Sequence, residues 1–257
     1  MNNFAFCTIT YGDKYIKFGD SLISQINKMG YHIFVLTSDA SYYKQTDLLT
    51  PVQYDKSYFS FHEKRNIMRK CLEQYEVGMF LDSDFYIKNV NDLSILSDVQ
   101  PGLHIFGNHG DLSHHFLNGD FGKFAPGCFR NGKYGNLGLS FLKEKNLEYE
   151  QFHHNGLVRG FLLHFLEGRW ILRREEEKEK KFFDIWDMLA RFTDSIDLEL
   201  GFREQVGAGE GSHMSIAAKN SNITTHNISP LMGFIQSHFI ANYQEKLAGE
   251  KPWGAPG

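Results

Sequence analysis

The stretch Val77-Gly-Met-Phe-Leu81, followed directly by Asp82-Ser83-Asp84, decides the fold that the sequence predicts. A short run of apolar residues that ends in a turn-forming acidic pair is typical of a strand buried on both faces. Such strands occur in parallel sheets that helices cover on both sides. Ligands bind outside the carboxyl ends of these strands, so the two aspartates mark the expected functional site.

The residues before this stretch repeat one pattern. Strands are predicted over residues 4–10 and 31–37, and apolar residues at helical spacing fill the interval until Gly30, a residue type that commonly follows a helix end. A right-handed crossover makes the two strands parallel neighbours. Ser60 with Glu63 forms a capping-box pattern before a second helix. The prediction is an α/β fold with a doubly wound, mostly parallel sheet flanked by helices.

One domain is predicted for residues 1–257, with a first half over residues 1–106 and a second half over residues 107–257. The second half is expected to be irregular. Its stretch from residue 107 to 138 is rich in Gly, Asn, His and Phe and is predicted to form active-site loops. Helical signals return from about residue 148 and are clearest over residues 184–192 and 212–219.

Composition excludes several classes of protein. The 257 residues include 27 basic and 31 acidic side chains, a net charge of −4, so nucleic acid is not an expected partner. No stretch approaches 18 apolar residues and the first residues lack a basic segment, so we expect a soluble, cytoplasmic protein with no transmembrane segment. Three cysteines without a Cys-x-x-Cys motif indicate neither a disulfide framework nor a thiolate zinc site.

Asp82 and Asp84 are the strongest candidates for chemistry. Two carboxylates one residue apart, at the point where a strand enters a turn, can face one hard cation. Mg²⁺ and Mn²⁺ accept oxygen ligands and leave coordination positions for substrate phosphates. The alternative is structural, because aspartates also end strands by capping turns.

The stretch around these aspartates resembles the family-eight glycosyltransferases, retaining enzymes of the GT-A fold that include glycogenin and bacterial lipooligosaccharide galactosyltransferases. The resemblance is carried by a helix with a basic residue, a tyrosine-led strand, an LDxD motif and a later Asp-Leu, here Lys64 or Arg65, Tyr75, Leu81 to Asp84, and Asn91-Asp92-Leu93. It implies a GT-A-type nucleotide-diphospho-sugar transferase fold and a metal-dependent hexosyltransferase, with a nucleotide-binding half over residues 1–106 and a sugar- and acceptor-binding half over residues 107–257. The donor would be a nucleoside-diphosphate sugar, with a UDP-sugar favoured, and the acceptor a hydroxyl of a glycan, lipid-linked or protein substrate.

Further matches extend the resemblance to both ends of the chain. His238 corresponds to the family's third metal ligand beside Asp82 and Asp84, with Mn²⁺ or Mg²⁺ as the cofactor, and an imidazole nitrogen suits Mn²⁺ in particular. The remaining matches would bind the nucleotide-sugar; they are Thr10, Tyr11 and Tyr15 in a nucleotide-base loop, Lys64 and Arg65 near phosphate or sugar, Asn136 at the sugar pocket, and Gly249 and Lys251 in a GxxKPW element.

The catalytic carboxylate is sought from chemistry, because the Asp-Gln-Asp motif of the family has no clear equivalent here. Glu210 lies in Gly207-Ala-Gly-Glu-Gly, where the sequence predicts a glycine-rich turn just before a helix and a side chain that projects freely. A carboxylate there can stabilise an oxocarbenium-like transition state. The alternative is that Glu210 only supports the N-terminus of the helix.

Two other functions remain open on the same residues. One is a phosphohydrolase in which Asp82 is the nucleophile and Asp84 the acid, since an apolar strand ending in DxD also serves that chemistry. The other is a non-catalytic carbohydrate-binding protein that uses aromatic loops as stacking surfaces.

Overall fold

The structure, a computed structural model, describes residues 3–87, 93, 96, 98–105, 140–148, 151–154, 157–160, 168–199, 201, 205–206, 210–227 and 235–237. Its strands and helices are, in chain order, β1 (Phe4–Thr10), α1 (Asp13–Lys28), β2 (His32–Thr37), β3 (Leu49–Gln53), β4 (Phe59–Ser60), α2 (Lys64–Leu72), β5 (Val77–Leu81), β6 (Phe85–Ile87), β7 (Gly102–Ile105), β8 (Gln151–His154), β9 (Leu157–Gly160), β10 (Arg169–Arg173), α3 (Glu176–Glu199), β11 (Gln205–Val206), α4 (Glu210–Ser221), β12 (Thr225–Asn227) and β13 (Ile235–Ser237).

A seven-stranded sheet forms the centre, in the order β3-β2-β1-β5-β10-β7-β12. All neighbours in it run parallel except at β10, which is antiparallel to both β5 and β7. Three two-stranded pairs complete the described strands; they are β4 with β11, β6 with β13, and β8 with β9. The predicted α/β architecture with a mostly parallel sheet and flanking helices is therefore confirmed.

Alternating residues of β1 face two separate apolar layers. Phe4 and Phe6 pack with the buried face of α1, whereas Ala5 and Cys7 pack with α2, α3 and α4 on the other side. This alternation follows from the two-residue period of a strand. Helix α1 ends where predicted, since Gly30 follows it in the left-handed conformation at φ 79°.

The crossovers on the two faces place a topological switch point at the centre of the sheet. The chain passes from β1 to β2 and β3 on one side of β1, and β5 lies on its other side. The carboxyl ends of β1 and β5 therefore meet at one edge, where the connections diverge, and ligands of open α/β sheets bind at such a point.

Two predictions for local structure are wrong. Ser60 accepts a hydrogen bond from the His62 N–H, but this caps a 3₁₀ turn over Phe61–Glu63, and α2 begins only at Lys64. Glu63 pairs with Lys56 at 2.5 Å, so the described contacts include no reciprocal capping box. In the described part of the second half, β10 and β12 join the central sheet and α3 spans 24 residues. Strands β8, β9 and β10 occupy part of the stretch predicted to be helical.

Candidate active site

The turn after β5 holds the two predicted metal-binding aspartates. The Asp82 N–H donates to the Gly168 carbonyl at 2.8 Å, and the Phe85 N–H donates back to the Asp82 carbonyl at 3.0 Å. These backbone bonds fix the turn, and Asp82 keeps 37% of its side chain exposed. Both aspartates are partly exposed at the switch-point edge, as the sequence predicts for a site.

A buried lysine joins Asp82 to the carboxylate predicted to be catalytic. Lys64 begins α2 and is 4% exposed, and its Nζ lies 3.1 Å from Asp82 Oδ1 and 2.9 Å from Glu210 Oε1. The ammonium also lies 5.3 Å from the centre of the Phe80 ring, which adds a cation–π contact. The structure therefore brings together three residues that the sequence singled out separately.

The surroundings alter the acidity of Asp82. Burial among these elements raises the pKa of its carboxyl to about 6, the Lys64 ammonium opposes the rise, and the charges of Asp84 and Glu210 add to it. A divalent cation at this carboxylate would act in the same direction as Lys64 and favour the ionised form.

Glu210 is not placed as the sequence predicted. It is the first residue of α4 rather than part of a preceding turn, and it is 5% exposed. Its carboxylate does not project freely, because it accepts the hydrogen bond from Lys64. The position also suits the helix, since a negative charge in the first turn complements the helix dipole.

The predicted nucleotide-base loop lies at the end of β1, beside the aspartates. Tyr15 is 37% exposed; burial raises its pKa, and the charges of Asp84 and then Asp82 raise it further, so the phenol lies within their field. Tyr11 is partly exposed and stacks on Phe59 with ring centroids 5.0 Å apart. Thr10 is fully buried, and its methyl group lies under α1, where it would clash with any side chain at Gly19.

Arg65 contacts α3 rather than the aspartates of the site. Its guanidinium is buried, contacts Asp187 of α3 and donates to the His62 carbonyl at 2.6 Å. Asp187 also accepts from Arg69, so the arginines hold α2 against α3. We assign Arg65 to this packing and retain Lys64 as the basic residue of the site.

The elements that carry Lys64 and Glu210 are joined by buried hydrogen bonds that sequence reasoning missed. Ser60 donates to Asp194 at 3.0 Å, the Trp186 indole donates to His62 at 3.0 Å, and Thr193 contacts His213 at 2.7 Å. The His62 and His213 rings lie 4.4 Å apart. The sequence contained a signal for these bonds. Trp186, Thr193 and Asp197 recur at helical spacing on the buried face of α3, where an amphipathic helix normally has only apolar side chains.

Four of the predicted site residues lie outside the described residues: Asn136, His238, Gly249 and Lys251. The predicted loop segment from residue 107 to 138 lies outside them as well. Within the described ranges, no three His, Cys, Asp or Glu side chains form a group that could hold a metal ion. Asp82 and Asp84 nevertheless fit Mg²⁺ or Mn²⁺, which often take only one or two protein carboxylates and complete their shell with water and phosphate oxygens.

No protein-family model matches the chain, and a search of curated proteins found no match. Among the helices of the described part of the chain, none is long and apolar enough to cross a membrane.

Proposed function

We propose that the protein is a metal-dependent glycosyltransferase of the GT-A type. It moves a sugar from a nucleoside-diphosphate sugar to an acceptor hydroxyl, with the retention that the family resemblance implies. The observation that carries the proposal is the position of Asp82 and Asp84 at the switch-point edge, with Lys64 Nζ 3.1 Å from Asp82 and 2.9 Å from Glu210. The site thus combines carboxylates for a cation with a buried ammonium and a second fixed carboxylate.

The sheet supports this class of enzyme. Its parallel strands β1, β2, β3 and β5, with a single antiparallel strand on the far side of β5, are compatible with a GT-A domain. The edge at the carboxyl ends of β1 and β5 is the place where an open α/β sheet binds a nucleotide. Tyr11 directly follows β1 and Tyr15 lies in the first turn of α1, so both are at the same edge and offer ring surface to a base.

The residues divide the chemistry of transfer between them. Asp82 and Asp84 would hold Mn²⁺ or Mg²⁺, and a bound ion supplies positive charge that stabilises the departing diphosphate. Lys64 balances the carboxylates of Asp82 and Glu210 and keeps them at fixed positions. Glu210 presents negative charge beside the site, where it can stabilise an oxocarbenium-like transition state, and its fixed position lowers the reorganisation that this requires.

Ligand-induced thermal shifts test the proposal directly. The purified chain is heated with UDP, GDP, CDP or their sugars, each with and without MnCl₂. We expect one nucleotide to stabilise the protein only when Mn²⁺ is present. A ligand at about 100 times its Kd contributes about 2.7 kcal/mol, or about 5 to 10 °C in a chain of this size.

Variants assign any shift to the site. Asp82→Asn and Asp84→Asn should abolish the Mn²⁺-dependent shift, whereas Asp184→Asn should keep it, because Asp184 is a 62% exposed carboxylate on α3. The proposal fails if no nucleotide stabilises the wild-type protein, or if Asp82→Asn responds like wild type.

The two alternatives give different results in the same series. Hydrolysis of p-nitrophenyl phosphate that Asp82→Asn removes would identify a phosphohydrolase. Stabilisation by free sugars or oligosaccharides, unaffected by nucleotide or Mn²⁺, would identify a carbohydrate-binding protein.

A further inference from the structure

Gly168 lies against the carboxylate of Asp82, and no motif in the sequence drew attention to it. It immediately precedes β10, the antiparallel neighbour of β5, where Arg169 pairs in register with Leu81. Its carbonyl accepts the Asp82 N–H at 2.8 Å. The antiparallel direction of β10 is what brings the start of this strand to the site edge of the sheet.

A side chain at position 168 would occupy space that Asp82 uses. A Cβ built on Gly168 would lie 2.7 Å from Asp82 Oδ2 and 3.3 and 3.5 Å from atoms Cε2 and Cζ of the Phe85 ring. The backbone of Gly168 is not in the left-handed region, so its conformation does not itself require glycine. Glycine at this position therefore leaves room for the Asp82 carboxylate.

The two oxygens of Asp82 have different neighbours. Oδ1 contacts the Lys64 ammonium, and Oδ2 lies beside Gly168, within 2.7 Å of the position that a Cβ would take there. An added methyl group has to displace Oδ2, because contacts below about 3 Å are repulsive. Rotation of the carboxylate away from the methyl group also moves Oδ1 relative to Lys64. The group that moves is the end of a side chain, so the fold itself can tolerate the change.

We propose that Gly168 is a positioning residue of the site, whose missing side chain lets the Asp82 carboxylate lie with one oxygen on Lys64 and the other beside Gly168. The inference rests on the proposed function in so far as Asp82 serves a metal and a diphosphate. Residues that orient a metal ligand commonly change metal affinity by about 10- to 100-fold when they are replaced.

Gly168→Ala is the test, and Gly78→Ala is its matched control. A Cβ at Gly78, on β5, would clash with Met68 Sδ in the core, so this variant disturbs core packing, and its nearest contacts are Met68 and Cys71 rather than Asp82. Two quantities are measured for each protein. The first is the affinity for UDP in the presence of MnCl₂, by calorimetry. The second is the NMR signal of the Lys64 ammonium, assigned by its loss in Lys64→Arg.

For Gly168→Ala we expect UDP affinity to fall about 10- to 100-fold, the ammonium signal to shift, and the melting temperature to stay within about 2 °C of wild type. Gly78→Ala should lower the melting temperature and keep both the affinity and the signal. An unchanged ammonium signal in Gly168→Ala overturns the inference, and so does wild-type affinity in that variant. If the wild-type protein binds no nucleotide, the proposed function fails, and the ammonium signal alone decides the position of Asp82.

Discussion

Replacement of Lys64 by methionine tests the charge arrangement at the centre of the site. The ammonium is 4% exposed and contacts two carboxylates, of which Glu210 is 6% and Asp82 37% exposed. Methionine retains most of the apolar stem but removes the charge, and with it the cation–π contact with the Phe80 ring. The variant therefore leaves a buried carboxylate without the ammonium that balances it.

The expected loss of stability follows from the burial of each partner. Removal of one member of a buried ion pair costs about 3 to 5 kcal/mol, which applies to Lys64 with Glu210. The pair with the more exposed Asp82 contributes less, because water screens it. A total of about 4 kcal/mol corresponds to a fall of about 8 to 16 °C in the melting temperature of a chain of this size.

Urea unfolding at pH 7, followed by tryptophan emission, measures the loss; Trp170 and Trp186 are buried and report on the core. Lys70→Met is the control in the same helix, since Lys70 is 46% exposed and its surface pair with Glu73 should be worth less than about 1 kcal/mol. The penalty of Lys64→Met should shrink as the pH falls towards 5, because buried carboxylates that have lost the Lys64 charge take up protons at a higher pH in the folded state than in the unfolded chain. A loss no larger than that of Lys70→Met would refute the buried ion pair.

Three further predictions concern the rest of the molecule. Glu210→Gln keeps a hydrogen-bond acceptor for Lys64 but loses the negative charge. With the sugar donor identified by the nucleotide screen, we expect kcat to fall at least about 100-fold and KM to stay within about threefold of wild type. An unchanged kcat would show that Glu210 is a structural residue. Burial lowers the pKa of His104 to about 4, so the folded state resists protonation that the unfolded chain accepts near pH 6.5. Wild type should therefore lose about 2 kcal/mol relative to His104→Gln between pH 7.5 and 5, measured by urea unfolding, and parallel curves would contradict the burial of this imidazole. Cys7 and Cys71 are both buried, and burial raises the pKa of the Cys7 thiol, so both should react with a thiol reagent only after unfolding; rapid reaction of more than one thiol in the native protein would disagree with the packing.

The sequence predicts the fold well where the signal is local. Strands β1, β2 and β5 and helix α1 follow from runs and periodicities within about sixteen residues, and Asp82 follows from its place at the end of β5. The position of β10 has no such signal. It lies 88 residues after β5 in the chain and runs antiparallel beside it, and only contacts across the sheet determine that placement.

The site itself depends on contacts that a single sequence does not show. Lys64 and Glu210 are 146 residues apart in the sequence. A lysine and a glutamate with these sequence neighbours could equally be exposed residues at the N-termini of two separate helices. The sequence does show polar residues at core positions of a helix. Thr193, Asp194 and Asp197 occupy the buried stripe of α3, and burial of polar groups is unfavourable unless they are hydrogen-bonded. Ser60 binds Asp194 and His213 contacts Thr193, so these polar positions hold the two segments that carry Lys64 and Glu210. Hydrogen bonds constrain direction as well as distance, which apolar packing does less strictly. Polar residues in an otherwise apolar helical stripe therefore indicate a segment whose position is fixed by hydrogen bonds. Here Thr193 contacts His213 of α4, the helix that begins with Glu210, the proposed catalytic carboxylate.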